Sequence, residues 1–179
     1  MKVALGHIPI NASPGQLAAL EGYWRKLSNA GLHRQRFHAG GVNSAAEFIE
    51  AVLAEHSLFF IVYDVKTKDV YGECTLNGFM GKTAQIHFSV MPEFFRQSIE
   101  ITRIVLTLLF GLVDANDDKP AVTTLIGVTP ETNRLAIKFI QKVGFKHVIT
   151  IPDMCNVHGI LVPGFITKLS IDEVLDGRR

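Results

Sequence analysis

The chain's length, composition and charge limit the kind of protein it can be. Its 179 residues are 47% hydrophobic and 20% charged, which is typical of a globular protein with a substantial buried core. A formal net charge of +1 gives no reason to expect a nucleic-acid or membrane partner. The two cysteines, Cys74 and Cys155, are far apart, so we expect reduced thiols, no metal site and a cytoplasmic protein.

Hydrophobic periodicity and helix-capping residues predict the elements of the first half of the chain. Ser13 before Pro14 predicts the start of a helix that runs to about residue 30, and the capping box of residues 44–47 predicts a second helix to about residue 55. A polar connector over residues 32–42 separates the two helices. Strands are predicted at residues 2–10, 57–64, 70–77 and 83–91, the last three antiparallel and joined by turns at 65–69 and 78–81.

The second half of the chain is predicted to be a helix, a strand, a helix and two strands. A long helix covers roughly residues 94–113, and a buried strand follows at residues 122–128. Thr129 and Pro130 then predict a capped helix over residues 130–143, which Gly144 ends. The remaining elements are a strand at 146–151, a polar loop at 152–159 and a strand near 165–169. No linker or repeat divides the chain, so residues 1–179 are predicted to form one domain.

A short pattern in the second half resembles a known family. Asn133, Ala136, Gly144 and Phe145 follow the pattern of the C-terminal half of the GCN5-related N-acetyltransferase (GNAT) superfamily. The order of elements also resembles that family over nearly the whole length. The resemblance implies an α/β (mixed α+β) fold, with a mostly antiparallel sheet and helices on both faces. It also implies that one strand splays from its neighbour to admit the pantetheine arm of acetyl-CoA. An unrelated α+β sandwich is the alternative fold.

The resemblance also implies where the cofactor binds, although one motif departs from the family's pattern. In the family, a glycine-rich turn lets backbone N–H groups reach the pyrophosphate at a helix N-terminus. Here Ile99 and Ile101 occupy the two glycine positions, with Glu100 between them. Arg96 and Gln97 could bind the phosphates or form an ordinary solvated first turn. The residues that the resemblance assigns to acetyl-CoA are Val90, Arg96, Gln97, Ser98 and Asn133.

The catalytic residues are less clear than the fold. The family's proton-donating tyrosine falls on Ile140 here, which cannot donate, so Cys155 or a water would have to replace it. Glu73 and His87 are the candidates for the general base. His87 shares a strand face with Gln85 and Ser89, which predicts a polar row along that strand. His87 could equally be a structural histidine, and Glu73 could equally be a surface carboxylate.

The connector and the resemblance together give the expected function. His33, Arg34, Arg36 and His38 lie in the segment that shapes the acceptor side in this family. They could recognise a carboxylate-bearing acceptor or form a solvated loop. The resemblance implies direct acetyl transfer from acetyl-CoA to the amine of a small molecule or peptide. A catalytically degenerate member, acting as a binding or structural module, is the alternative, and a homodimer is left open.

Overall fold

A seven-stranded sheet forms the centre of the computed structural model, which describes residues 2–115 and 118–176, the last two of them by their backbone alone. The strand order is β1-β2-β3-β4-β5-β7-β6, and only β4 and β5 pair in parallel. This confirms the predicted mixed and mostly antiparallel sheet. The strands are β1 Val3–Ile8, β2 Leu58–Asp64, β3 Val70–Met80, β4 Thr83–Val90, β5 Thr124–Pro130, β6 Lys146–Val157 and β7 Ile160–Ser170.

Helices cover both faces of this sheet. Phe59 packs in a core with residues of α1 and α3, whereas Phe60 packs in a core with residues of α4. Consecutive residues of a strand point to opposite faces, so these two cores lie on opposite sides of the sheet. The helices are α1 Pro14–Asn29, α2 His33–Arg36, α3 Ala45–Val52, α4 Ser98–Phe110, α5 Arg134–Val143 and α6 Ile171–Asp176, with a 3-10 turn at Pro92–Gln97 before α4.

The parallel pair of strands, β4 and β5, separates after a short contact. Their pairing begins at Thr83 with Thr124 and ends at Gln85 with Ile126. Beyond that point β4 continues to pair with β3, and β5 continues to pair with β7 as far as Pro130. The sheet therefore opens between residues 86–90 and residues 127–130, as the family resemblance implies.

Local capping signals were correct at three helix ends and wrong at one. Ser13 and Ser44 cap α1 and α3 with complete capping boxes, and Gly144 ends α5 with a φ of 126°. The predicted helix start at Pro130 is wrong. Pro130 is instead the last residue of β5, and Asn133 caps α5 by accepting a hydrogen bond from the backbone N–H of Ala136 at 3.1 Å.

Other differences arise where a partner strand or a tighter turn determines the structure. The predicted polar loop at residues 152–159 belongs mostly to β6, which passes an irregularity between Ile151 and Cys155 and pairs with β7 again. The chain enters α4 through the 3-10 turn, so the helix begins at Ser98 rather than near residue 94. The helices α2 and α6 were not predicted. Within residues 2–115 and 118–176, every helix lacks the length or the apolar character needed to cross a bilayer.

Candidate active site

A row of polar side chains lies on one face of β3 and β4. Glu73 and Thr75 of β3 stand directly opposite Ser89 and His87 of β4. Directly opposed residues of an antiparallel pair share a face, so the predicted polar row of β4 extends across both strands. Thr75 is also opposite Phe59, which belongs to the core beneath α1 and α3. The polar row therefore lies on the α1 side of the sheet.

Glu73 is the buried centre of this row. Its side chain is 0% exposed, and Arg36 Nε donates to Oε1 at 2.8 Å. Ser89 Oγ donates to the same oxygen at 2.9 Å, and Thr75 Oγ1 donates to Oε2 at 3.2 Å. The interpretation of Glu73 as a surface carboxylate is therefore wrong. This ion pair was not predicted, because Arg36 lies in the connector, where a solvated loop was one interpretation.

Arg36 reaches Glu73 because part of the connector is helical. The short helix α2 carries Arg36 at its end, and Arg36 Nη2 also donates to Thr75 Oγ1 at 3.1 Å. One guanidinium thus contacts two side chains of β3. Buried ion pairs need additional hydrogen bonds to offset the loss of hydration, and the two hydroxyl groups of Thr75 and Ser89 provide them here.

Tyr23 of α1 lies beside this ion pair without a hydrogen bond of its own. Its side chain is 3% exposed, and its hydroxyl has no hydrogen-bond partner among the residues that the structure describes. Burial and the nearby Glu73 carboxylate raise the pKa of Tyr23 well above its usual value. The phenol therefore stays protonated at neutral pH. The nearby carboxylate of Glu73 accepts its hydrogen bonds from other side chains.

His87 is partly buried in a positively charged environment. Burial lowers the pKa of His87 from 6.5 to about 3, with smaller electrostatic contributions from Arg36 and then from His38. The imidazole is therefore neutral at pH 7 and can accept a hydrogen bond. Arg36 and His38 both belong to the connector, so the connector contributes to the electrostatic environment of His87.

A small pocket lies where the connector meets the β6–β7 hairpin and the start of α5. Its volume is about 150 Å³. His38 Nδ1 is 2.8 Å from the carbonyl oxygen of Asn156, and the backbone N–H of His158 donates to the carbonyl of His38 at 2.9 Å. These bonds join the connector to the hairpin at one wall of the pocket. The pocket is lined by Arg34, Gln35, His38, Pro130, Thr132, Asn133, Val157 and His158.

Three of the predicted residues meet at this pocket, and one connector histidine does not. Asn133, Arg34 and His38 all line it, together with His158, for which the sequence carried no signal. His33 is absent from the lining. Its ring packs edge-on against Trp24 at 5.7 Å, and its buried Nδ1 has no hydrogen-bond partner within the described chain.

The residues predicted to hold the pyrophosphate lie at the N-terminus of α4. Arg96 and Gln97 end the 3-10 turn, and both are exposed. No side chain caps α4. Arg96 and Gln97 border an open depression of about 490 Å³ along one side of α4, whereas Asn133 borders the smaller pocket. The structure therefore groups Arg96 with Gln97 but places Asn133 at a separate cavity.

The backbone of Val90 is directed into the opening between β4 and β5. The N–H of Met91 donates to the carbonyl of Tyr71 at 2.8 Å. Bonded and non-bonded residue pairs alternate along an antiparallel ladder, so the N–H of Val90, opposite Gly72, points away from β3. Gly72 itself permits this close pairing, because a Cβ atom there would lie 1.9 Å from the carbonyl oxygen of Ser89.

Cys155, the suggested replacement for the missing proton donor, is a buried residue of β6. It is 5% exposed and lies opposite Val162 of β7. Burial raises the pKa of the Cys155 thiol, so the thiol stays protonated at neutral pH. The position that the family gives to its tyrosine is Ile140 on α5, which packs against the core that contains α4.

Comparison with known proteins establishes the fold. No protein-family profile matches the chain, and no curated protein resembles it in sequence. Among solved structures, spermidine N-acetyltransferase from Vibrio cholerae, in complex with CoA and spermine, superposes with a TM-score of 0.71 at 13% identity, covering 97% of this chain and 98% of that one. Ribosomal-protein-S5-alanine acetyltransferase from Vibrio fischeri superposes with a TM-score of 0.69 at 10% identity, covering 96% and 94%.

A third solved structure belongs to the family that the sequence pattern resembles. A probable acetyltransferase of the GNAT family from Chromobacterium violaceum superposes with a TM-score of 0.74 at 15% identity, covering 97% of this chain and 85% of that one. Such identities show the architecture rather than the activity. The separation of β4 from β5 and the order of the elements agree with this architecture. The chain therefore has the GCN5-related N-acetyltransferase fold.

Proposed function

We propose that the chain is an acyl-CoA-dependent N-acyltransferase that moves an acetyl group from acetyl-CoA to the amine of a small molecule or peptide. The observation that carries this proposal is the opening between β4 and β5 beyond Gln85 and Ile126. In a closed sheet the facing backbone groups of these strands would be hydrogen-bonded to each other. Here they border a gap in a chain whose fold is that of known acetyltransferases.

We assign acetyl-CoA, whose thioester supplies the electrophilic acetyl carbon, to this opening and to the N-terminus of α4. The N–H of Val90 would donate to the carbonyl oxygen, where negative charge develops during transfer. Arg96, Gln97 and Ser98 would hold the pyrophosphate at the positive end of α4, which no side chain caps. Asn133 would contact the cofactor through its amide nitrogen, because its Oδ1 already accepts from the start of α5.

Direct transfer requires one bond to form and one to break. The amine nitrogen forms a bond to the acetyl carbon, the proton of the amine leaves through a base, and the C–S bond breaks to release CoA as its thiolate, which takes a proton from water. We propose His87 as the group that accepts this proton. Glu73 is the other candidate, but its oxygens already accept hydrogen bonds from Arg36, Ser89 and Thr75, so we assign it the role of positioning Arg36.

The alternative function, a binding module without catalysis, is favoured by one feature of the phosphate side. The 3-10 turn at Pro92–Gln97 uses its backbone N–H groups internally. That of Phe94 donates to Met91, and that of Ser98 donates to Phe95. A glycine turn would direct such groups at phosphate oxygens. A chain that binds CoA weakly, or binds another ligand in the same opening, would be consistent with this geometry.

A thermal-shift titration with acetyl-CoA and with free CoA tests the proposal. A ligand that binds only the native state raises its stability, so we expect both compounds to raise the melting temperature. Arg96→Ala should weaken CoA binding by roughly 1–3 kcal/mol, the scale of a charge-assisted hydrogen bond. Arg25→Ala removes an exposed arginine of α1 and serves as the matched control. No shift at millimolar CoA would refute the cofactor assignment.

A turnover measurement then separates the enzyme from the binding module. Release of the CoA thiol in the presence of a panel of amines supports the enzyme. If CoA stabilises the protein and no amine is acetylated, the binding module is the better description. Loss of the proposed proton acceptor in His87→Ala should lower turnover by roughly 10²–10⁴-fold with little change in CoA affinity. Unchanged turnover per folded molecule would leave His87 with a structural role.

A further inference from the structure

The pocket between the connector, the start of α5 and the β6–β7 hairpin has a distinctive charge. Its lining contains one arginine, Arg34, and two histidines, His38 and His158, and no aspartate or glutamate is among its described lining residues. The other lining groups are neutral. Arg34 is exposed and has no ion-pair partner within the described residues. The pocket thus presents an uncompensated positive charge.

Two carboxylates of the site and of the approach to α5 already have cationic partners. Glu73 is 0% exposed and is bound by Arg36. Glu131 follows Pro130, and its Oε1 lies 3.6 Å from Nη2 of Arg134, the first residue of α5. Arg36 and His38, both of the connector, also act electrostatically on His87.

We propose that the acceptor amine carries an anionic group, such as the carboxylate of an amino acid or of an acidic peptide, and that Arg34 binds this group. The inference rests on the proposed acetyl transfer and specifies its acceptor. A guanidinium recognises a carboxylate through paired, charge-assisted hydrogen bonds, and a histidine can add a further one. A polyamine has the opposite requirement. Its several ammonium groups need carboxylates, and here they would face Arg34 instead.

Three amines of equal chain length test this inference. They are 4-aminobutanoate, n-butylamine and 1,4-diaminobutane, whose far ends are anionic, neutral and cationic. Turnover with acetyl-CoA should follow that order, with kcat/KM for 4-aminobutanoate at least about tenfold above that for 1,4-diaminobutane, as expected of one bound ion pair. Arg34→Gln should narrow this ratio several-fold, whereas Arg25→Gln on α1 should leave it unchanged. Arg34→Gln should change KM for 4-aminobutanoate more than kcat, because the bound anionic group is remote from the reacting nitrogen.

A binding measurement keeps this inference separate from the proposed function. Thermal shifts are recorded for the same three amines in the presence of saturating free CoA, which cannot transfer an acetyl group. Preferential stabilisation by 4-aminobutanoate that is lost in Arg34→Gln supports the inference, even if no amine is acetylated and the enzyme proposal fails. Equal shifts, a preference for 1,4-diaminobutane, or no shift with any of the three amines would overturn it. Acetylation with the diamine preferred would overturn the inference and leave the acetyl transfer intact.

Discussion

Replacing His87 with asparagine should remove much of the protein's loss of stability on acidification. In the folded chain burial, then Arg36, then His38 lower the pKa of His87 from 6.5 to about 3. The unfolded chain therefore takes up a proton near 6.5, and the folded chain does so only near 3. A group with a lowered folded pKa that is neutral when deprotonated favours the folded state at higher pH. The contribution of His87 to the free energy of unfolding is complete above about pH 6.5 and is lost as the pH falls towards 3.

The size of this effect follows from the two pKa values. A pH of about 4 lies about 2.5 pH units below the pKa of the histidine in the unfolded chain. Each unit changes the free energy of unfolding by about 1.4 kcal/mol, so the loss of stability is roughly 3 kcal/mol. Asp64, whose pKa is lowered chiefly by a hydrogen bond from the backbone N–H of Lys2, adds a further loss at more acid pH. The His87→Asn variant retains the contribution of Asp64. The difference between the stability–pH profiles of wild type and variant therefore measures the contribution of His87.

The assay is urea unfolding of wild type and His87→Asn at a series of pH values from about 7 to about 4. His56→Asn is the control, because the side chain of His56 is 84% exposed and its left-handed φ of 63° suits asparagine. This control should follow the wild-type profile. Equal loss of stability in wild type and His87→Asn would show that His87 does not lie in a desolvated, positive environment, and the description of the polar row would then be wrong.

Three further variants test the elements that hold the site in place. Arg36→Met should cost about 3–5 kcal/mol in urea unfolding because it leaves Glu73 buried and unpaired, and adding Glu73→Gln should recover most of that loss. Gly72→Ala should cost about 1–3 kcal/mol or more because its Cβ would meet backbone, while Gly15→Ala, with open space around it, should be nearly neutral. Asn133→Asp should keep the stability of α5 because it retains the capping oxygen, but weaken CoA binding if the amide nitrogen contacts the cofactor.

Elements whose signals are local could be predicted from the sequence. Ser13 and Ser44 cap their helices as expected, because a cap depends only on residues within one turn. The threonine and proline at residues 129–130 carried an equally good local signal and gave the wrong helix start. Pro130 pairs with Gly164 of β7, and Asn133 offers a second cap one turn later. The partner strand, which no local pattern reveals, selected the later start.

The candidate site divides in the same way. The alternation of polar and apolar residues along β4 predicted the polar row, because side chains alternate with a period of two in any strand. The ion pair of Arg36 with Glu73 could not be predicted, since the two residues are 37 positions apart and meet only when α2 packs over the sheet. The pocket around Asn133 likewise combines three segments that are distant in the chain.

The charges that act on His87 relate the proposed base to the proposed acceptor. A general base is most effective when its pKa is near the working pH, and the pKa of His87, at about 3, is far below it in the free protein. An anionic group bound at Arg34 would offset part of the positive charge that acts on His87 and so raise its pKa, while burial, the largest cause of the lowering, would remain. A cationic acceptor would lower it further. The charge of the acceptor would then act mainly on how tightly it binds, and to a smaller extent on how readily His87 can take its proton.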